Sequence, residues 1–118
     1  MADAGLFISW GETYPGREEE ALRLWNGVGE YYGSLLEAGR ITRFEPFLVS
    51  GRGAPLRGFM IVGGTPEQIG ALTFDDEWIR SIMRLEMCCK DACVNPLQFG
   101  ESVDHIMELW EHEVHALA

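Results

Sequence analysis

The period of the hydrophobic residues changes along the 118-residue chain, and each change marks an element. Leu6 to Trp10, LFISW, is a short apolar run with a strand's composition, closed by the turn chemistry of GETYPG from Gly11 to Gly16. From Arg17 to Ala38 the period becomes helical. Ala21, Leu24, Trp25, Val28, Tyr31, Tyr32 and Leu35 share one face, and Glu19, Arg23, Asn26, Glu30 and Glu37 lie opposite. Glu18, Glu19 and Glu20 sit in the first turn, where carboxylates complement the positive end of the helix dipole, and Gly39 ends the helix. Gly27, Gly29 and Gly33 each cost up to about 1 kcal/mol relative to Ala, so packing is expected to hold this helix and its small residues to admit a close neighbour.

The stretch Arg40 to Gly64 reads as two strands, Arg40 to Val49 and Leu56 to Gly63, joined by a loop containing Ser50, Gly51, Gly53 and Pro55. Side chains alternate across a strand, which places Phe59 and Ile61 on one side and Met60 and Val62 on the other. In the first run Ile41, Phe47 and Val49 share one face and Phe44, Pro46 and Leu48 the other. Both faces are apolar, so this sheet is expected to be covered twice. Thr65-Pro66-Glu67-Gln68 then supplies an N-cap, a proline at the first helical position and a capping-box partner for a helix ending near Leu72. Asp75 or Asp76 caps a second helical piece, whose buried face is expected to carry Trp78, Ile79, Ile82, Met83 and Met87. Ala92 to Phe99 is the last strand, placed at a sheet edge or bulge by Pro96. Ser102 and Asp104 open a final helix with Val103, Met107, Trp110, Val114 and Leu117 on one face.

The resulting order, β-α-β-β-α-β with an extra helix, predicts an α+β ferredoxin-like plait: one four-stranded sheet with helices on one face. Residues 1–99 form the plait and 100–118 the extra helix of a single domain. The second face of the sheet is then bare. Each large apolar side chain left there forfeits roughly 1.5–3 kcal/mol of burial, so a cover is needed. Either the final helix folds back or a second copy of the chain supplies it, and a symmetric homodimer with sheets face to face is the expected solution.

Acidic residues outnumber basic ones 19 to 9, a net charge of −10, which repels phosphate backbones and anionic lipid surfaces; neither nucleic acid nor membrane is an expected partner. No apolar run approaches the roughly 18 residues of a membrane span, and Met1 to Gly5 lacks the basic and apolar regions of a secretion signal. The three cysteines, Cys88, Cys89 and Cys93, are odd in number and crowded, which fits a reducing compartment; a cytoplasmic location is expected.

GREEEALRLW, GRITRFEPFLV and the glycine-containing loop leading into LRGFMIV, followed by a capped helix, resemble a family of small uncharacterised bacterial proteins in the dimeric α/β-barrel superfamily. The resemblance spans Gly5 to Val94. It implies the plait and a barrel closed by two copies. Activity varies across that superfamily, which includes cofactor-independent monooxygenases, haem-degrading enzymes, muconolactone isomerase-like proteins and stress-responsive barrels. No catalytic residue is carried over from it, and no cofactor is expected.

Three sets of residues could carry chemistry. His105, Glu108, His112 and His115 fall within one arc of the last helix, a spacing that can present ligands to a metal and equally describes the solvated face of an amphipathic helix. Cys88, Cys89 and Cys93 stand at a helix-to-strand junction, where they read as small buried hydrophobes rather than a redox pair. A pocket between sheet and helices could be lined by Trp10, Tyr14, Tyr31, Phe44, Phe59 and Trp78, with Arg43, Glu45, Ser9 and Glu12 as orienting groups. Arg43 and Glu45 stand two apart on one strand, where they can also form a simple surface ion pair. The functional expectation is a small apolar or aromatic ligand held in that pocket. The alternatives are a cofactor-independent oxygenase or isomerase using the same cavity, and a structural dimer acting through protein partners.

Overall fold

The computed structural model describes residues 3–51 and 53–117. Its elements are β1 (Asp3–Trp10), α1 (Glu18–Glu37), β2 (Arg43–Leu48), β3 (Gly58–Gly64), α2 (Pro66–Thr73), α3 (Asp76–Cys88), β4 (Cys93–Phe99) and α4 (Glu101–Leu117). The four strands form one antiparallel sheet in the order β2-β3-β1-β4, the ferredoxin-like arrangement. Pro46 and Pro96 both lie on the outer strands, where a missing N–H costs no ladder bond.

Register divides the side chains into two sets. Leu6, Ile8 and Trp10 of β1 and Met60 and Val62 of β3 point to the helices and are at most 6% exposed. They pack against Ala21, Tyr32 and Leu35 of α1, Ile69 and Leu72 of α2, and Trp78, Leu85 and Cys88 of α3. Trp10 stands opposite Gly58, where an added Cβ would come within 2.5 Å of the indole; glycine is what lets the ring lie flat on the sheet. From there Trp10 meets Trp25 of α1, with ring centroids 4.4 Å apart.

The helix ends follow the local rules. Thr65 Oγ1 accepts from the Gln68 N–H at 3.2 Å while Gln68 Oε1 accepts from the Thr65 N–H at 2.9 Å, a complete capping box. Asp75 Oδ2 accepts from the Trp78 N–H at 3.1 Å and starts α3. Gln68 Nε2 also donates to the Gly39 carbonyl at 2.8 Å, and Arg40 pairs with Asp75 at 3.3 Å, so the end of α1 is tied to the α2–α3 layer.

Four expectations need correction. Ile41 precedes β2 rather than sharing its outer face, and it is buried in the core. Met83 and Met87 are 51% and 64% exposed, because the buried stripe of α3 runs through Trp78, Leu85 and Cys88 instead. Among the described residues nothing lies within 4 Å of a Cβ built on Gly27, Gly29 or Gly33, so these glycines admit no close neighbour there. Cys93, unlike Cys88 and Cys89, is exposed: it points from β4 to the helix-free face, where Asn95 Nδ2 donates to its sulfur at 3.2 Å.

The helix-free face carries Phe7, Phe59, Ile61, Phe47, Leu97 and Phe99. Phe59 packs between Phe7 and Phe47, with centroids at 5.0 and 4.9 Å, and Arg43 lies over the ring of Phe99 at 5.3 Å. None of the chain's helices covers it. α4 does not fold back: Ser102 donates to the Asp3 carbonyl at 3.0 Å, and beyond that anchor Ile106, Met107, Trp110, Val114 and Leu117 are all exposed. The projecting helix makes the molecule 54 Å long, with a radius of gyration of 16.6 Å. A compact chain of this length has about 13 Å.

Candidate functional site

A cavity of about 470 Å³ lies on the covered side of the sheet, between α1 and α3. That is within the range of about 300–1,000 Å³ typical of small-molecule sites. Its shape follows from how the helices run. Trp78 near the start of α3 donates from Nε1 to Tyr32 Oη late in α1 at 3.2 Å. The Cys88 carbonyl at the end of α3 accepts from Tyr14 N–H at 2.8 Å, just before α1 begins. The two helices are therefore antiparallel, and the first turns of α1 face the last turns of α3.

One wall is a row on α1: Arg17, Glu20, Leu24, Gly27 and Tyr31, at alternating spacings of three and four residues, the helical signature of a single stripe. Val28 and Trp25 flank it. The other wall comes from α3 through Glu77, Ser81, Ile82, Arg84, Leu85 and Met87. Tyr32 and Met60 contribute from the core. The body of the cavity is thus apolar and aromatic, with charges supplied by Arg17, Glu20, Arg23, Glu77 and Arg84.

Behind this wall is an aromatic layer. Tyr32 stacks on Phe44 at 4.8 Å and meets Tyr31 edge-on at 5.0 Å. Burial, against a smaller opposing contribution from the Trp78 hydrogen bond, pushes the Tyr32 phenol far above its ordinary value. Burial first, and then the nearby Asp75 carboxylate, push Tyr31 up to about 12. Both phenols are protonated hydrogen-bond donors at neutral pH. Tyr31 Oη and Glu20 Oε2 are buried oxygens without a hydrogen-bond partner among the described residues.

Of the pocket residues read from sequence, Tyr31 lines this cavity. Trp10, Phe44 and Trp78 stand in the layer behind it. Phe59, Arg43 and Glu45 are on the opposite, helix-free face, because they are an odd number of residues from Met60 and Phe44; the two sets cannot line one cavity. Arg43 and Glu45 form an ion pair with each other there. Ser9 is on that face too, opposite Cys93. Tyr14 is 40% exposed in the β1–α1 loop. Glu12 pairs with Lys90 at 2.8 Å, and the Lys90 hydrogen bond holds its carboxyl below the usual range. His105, Glu108, His112 and His115 lie along exposed α4, and no three His, Cys, Asp or Glu side chains among the described residues converge on a metal-sized site. Burial raises the Cys89 thiol, consistent with an inert core cysteine.

The charged residues of the cavity were missed from sequence because each belongs to the polar side or the end of an amphipathic helix. The three-four spacing from Arg17 to Tyr31 was the available signal.

No family model matches the chain, and no curated protein matches its sequence. Solved structures do match its fold. A dimeric protein of unknown function and ferredoxin-like fold from Bacteroides fragilis NCTC 9343 is similar over 82% of this chain and 96% of its own, with a TM-score of 0.61 and 13% identity. A dimeric ferredoxin-like protein of unknown function from Jannaschia sp. CCS1 is similar over 83% of this chain and 98% of its own, at a TM-score of 0.61 and 10% identity. A hydroxynitrile lyase from Passiflora edulis is similar over 83% and 94%, at 0.63 and 8% identity. At these identities the similarity shows the fold, which is ferredoxin-like α+β. No helix among the described residues is long and apolar enough to cross a membrane.

Proposed function

We propose that this chain is a small-molecule-binding protein that works as a homodimer, its two open sheets meeting face to face as a dimeric α/β barrel, each copy holding an apolar or aromatic ligand between α1 and α3. The observation that carries the ligand is the cavity of about 470 Å³ walled by Trp25, Val28, Tyr31, Tyr32, Met60, Ile82 and Leu85. Dimerisation is supported by the apolar helix-free face, the unpartnered stripe of α4 and the dimeric state of the two ferredoxin-like neighbours of unknown function. In this assembly α4 reaches across to the partner.

Binding is favoured over catalysis by the chemistry of the wall. An acid or base working near neutral pH needs a pKa moved toward neutrality, whereas the large shifts here, at Tyr31 and Tyr32, move away from it. The three histidines are all on α4, outside the lining.

Native mass spectrometry of freshly purified protein tests both halves at once. The expected result is a dimer carrying a releasable small molecule. A monomer at micromolar concentration, confirmed by sedimentation, sinks the assembly, and an apo mass that no apolar compound shifts sinks the ligand.

A further inference from the structure

We infer that the α1–α3 cavity selects an apolar-bodied carboxylate, with Arg23 reading its anionic head; this rests on the reading of that cavity as a ligand site. The charge pairing around the lining carries the inference. Three guanidiniums, of Arg17, Arg23 and Arg84, meet two carboxylates, of Glu20 and Glu77. Glu77 is already engaged by Arg80 at 3.4 Å and Arg84 at 3.8 Å, and Glu20 by Arg17 at 3.7 Å. Arg23 has no ion-pair or hydrogen-bond partner among the described residues. In a chain with a net charge of −10, where carboxylates are plentiful, the uncompensated charge at this cavity is a cation.

That pattern discriminates among ligand charges. A cationic ligand would enter beside three guanidiniums, with Glu77 already held by Arg80 and Arg84 and Glu20 Oε2 the one acceptor open to it. A neutral ligand would leave Arg23 unused. An anion gains a charge-assisted and, for a carboxylate, bidentate contact without breaking an existing pair. The rest of the site fits the body of such a molecule. The α1 row from Arg17 to Tyr31 runs about 21 Å at 1.5 Å per residue, so the cavity is a long slot with Leu24, Val28, Ile82 and Leu85 along its sides. The two partnerless buried oxygens, Glu20 Oε2 and Tyr31 Oη, belong to residues of this same slot and stand about three turns apart. Of the two, the protonated Tyr31 phenol can donate to a bound carboxylate, whereas Glu20 Oε2 can only accept a hydrogen bond.

The test uses the full chain and three probes that share one body: decanoate, decan-1-ol and decyltrimethylammonium, titrated calorimetrically below their micellar concentrations. Decanoate is expected to bind three- to tenfold more tightly than decanol, the range for an accessible charge-assisted contact, and the ammonium more weakly than either. Arg23→Gln should remove that advantage, bringing decanoate down to the affinity of decanol for the same variant. Gly27→Trp should weaken both, since Gly27 lines the slot with open space above it and the indole fills that space while the helix remains intact by circular dichroism. Decanol or the ammonium binding as tightly as decanoate, or R23Q with undiminished preference, overturns the anionic head and leaves the pocket standing. No binding by any probe, or binding indifferent to Gly27→Trp, overturns the pocket itself.

Discussion

The two faces of this sheet are made from the same strands by the same alternation, and both are apolar, yet they have different fates. On one, Ile8 and Val62 are fully buried and Leu6, Trp10 and Met60 nearly so. On the other, Phe7, Phe59 and Ile61 are only half-buried and Phe47 is 40% exposed. The difference is one of supply: three helices cover the first face, and the one helix left, α4, projects away with its own apolar stripe uncovered. The hydrophobicity of a strand therefore states that a face is to be covered and leaves open by whom. In a chain folded alone, the covered face sets stability. In the proposed dimer, the open face sets association.

Paired substitutions break this comparison most directly. Met60→Asp buries an unpaired carboxylate in the core and is expected to abolish folding. Its neighbour Phe59→Asp is expected to leave a folded chain with a native circular dichroism spectrum and convert dimer to monomer in sedimentation, because that side chain lies between Phe7 and Phe47 on the open face. If Phe59→Asp unfolds the chain as Met60→Asp does, the two faces are not functionally distinct. A milder pair gives numbers. Ile8→Ala should cost about 2–5 kcal/mol in urea denaturation. Ile61→Ala should cost under about 1.5 kcal/mol in the monomer and more in the dimer, making its effect concentration-dependent.

A pH titration sharpens the same contrast, because the covered face holds the buried phenols. The folded pKa values of Tyr32 and Tyr31 are raised by burial above the ordinary 10. A raised acid contributes stability that is whole below pH 10 and is lost as pH climbs through the folded value, about 12 for Tyr31. Each such phenol adds a slope of up to about 1.4 kcal/mol per pH unit in that window, less for Tyr31 because it is only half-buried. Urea midpoints measured from pH 9 to 12 should fall above pH 10, and Tyr32→Phe should flatten the fall. An unchanged slope in Tyr32→Phe would falsify the assignment of that loss to Tyr32.

The sequence made the elements legible where the signal is local. Thr65 with Gln68, Asp75 before Trp78, and the stripe from Ala21 to Leu35 each specify a helix by chemistry within a few residues, and each stands as read. The cavity was not legible, since it depends on α3 lying antiparallel on α1, which brings Glu77 and Arg84 to residues more than forty positions earlier. Alternation places Phe44 and Arg43 on opposite faces of β2 but does not say which face the helices take. Combining Phe44 and Phe59 in one pocket ignored the register that separates them. The glycines of α1 misled for a related reason: a small residue signals close packing only if a neighbour arrives, and none does.

The smallest expected effect comes from those glycines and contrasts them with a glycine of the sheet. At Gly33 the helix is solvent-facing on one side, the backbone is ordinary, and a Cβ meets nothing within 4 Å. Gly33→Ala should therefore stabilise the chain by about 0.5–1 kcal/mol, through helix propensity and a less flexible unfolded state. Gly58→Ala is the counter-case: its Cβ would stand 2.5 Å from the Trp10 ring and 2.9 Å from the Phe47 carbonyl, so strand or indole must shift. Overpacking of that kind costs about 1–3 kcal/mol. Opposite signs for one identical substitution, read from thermal denaturation, would show that α1 is held by its single packed stripe and the sheet by contacts on both sides of the strand. Destabilisation by Gly33→Ala would instead mean that something approaches the outer side of α1 in the assembled protein, and the place to look for it would be the partner copy.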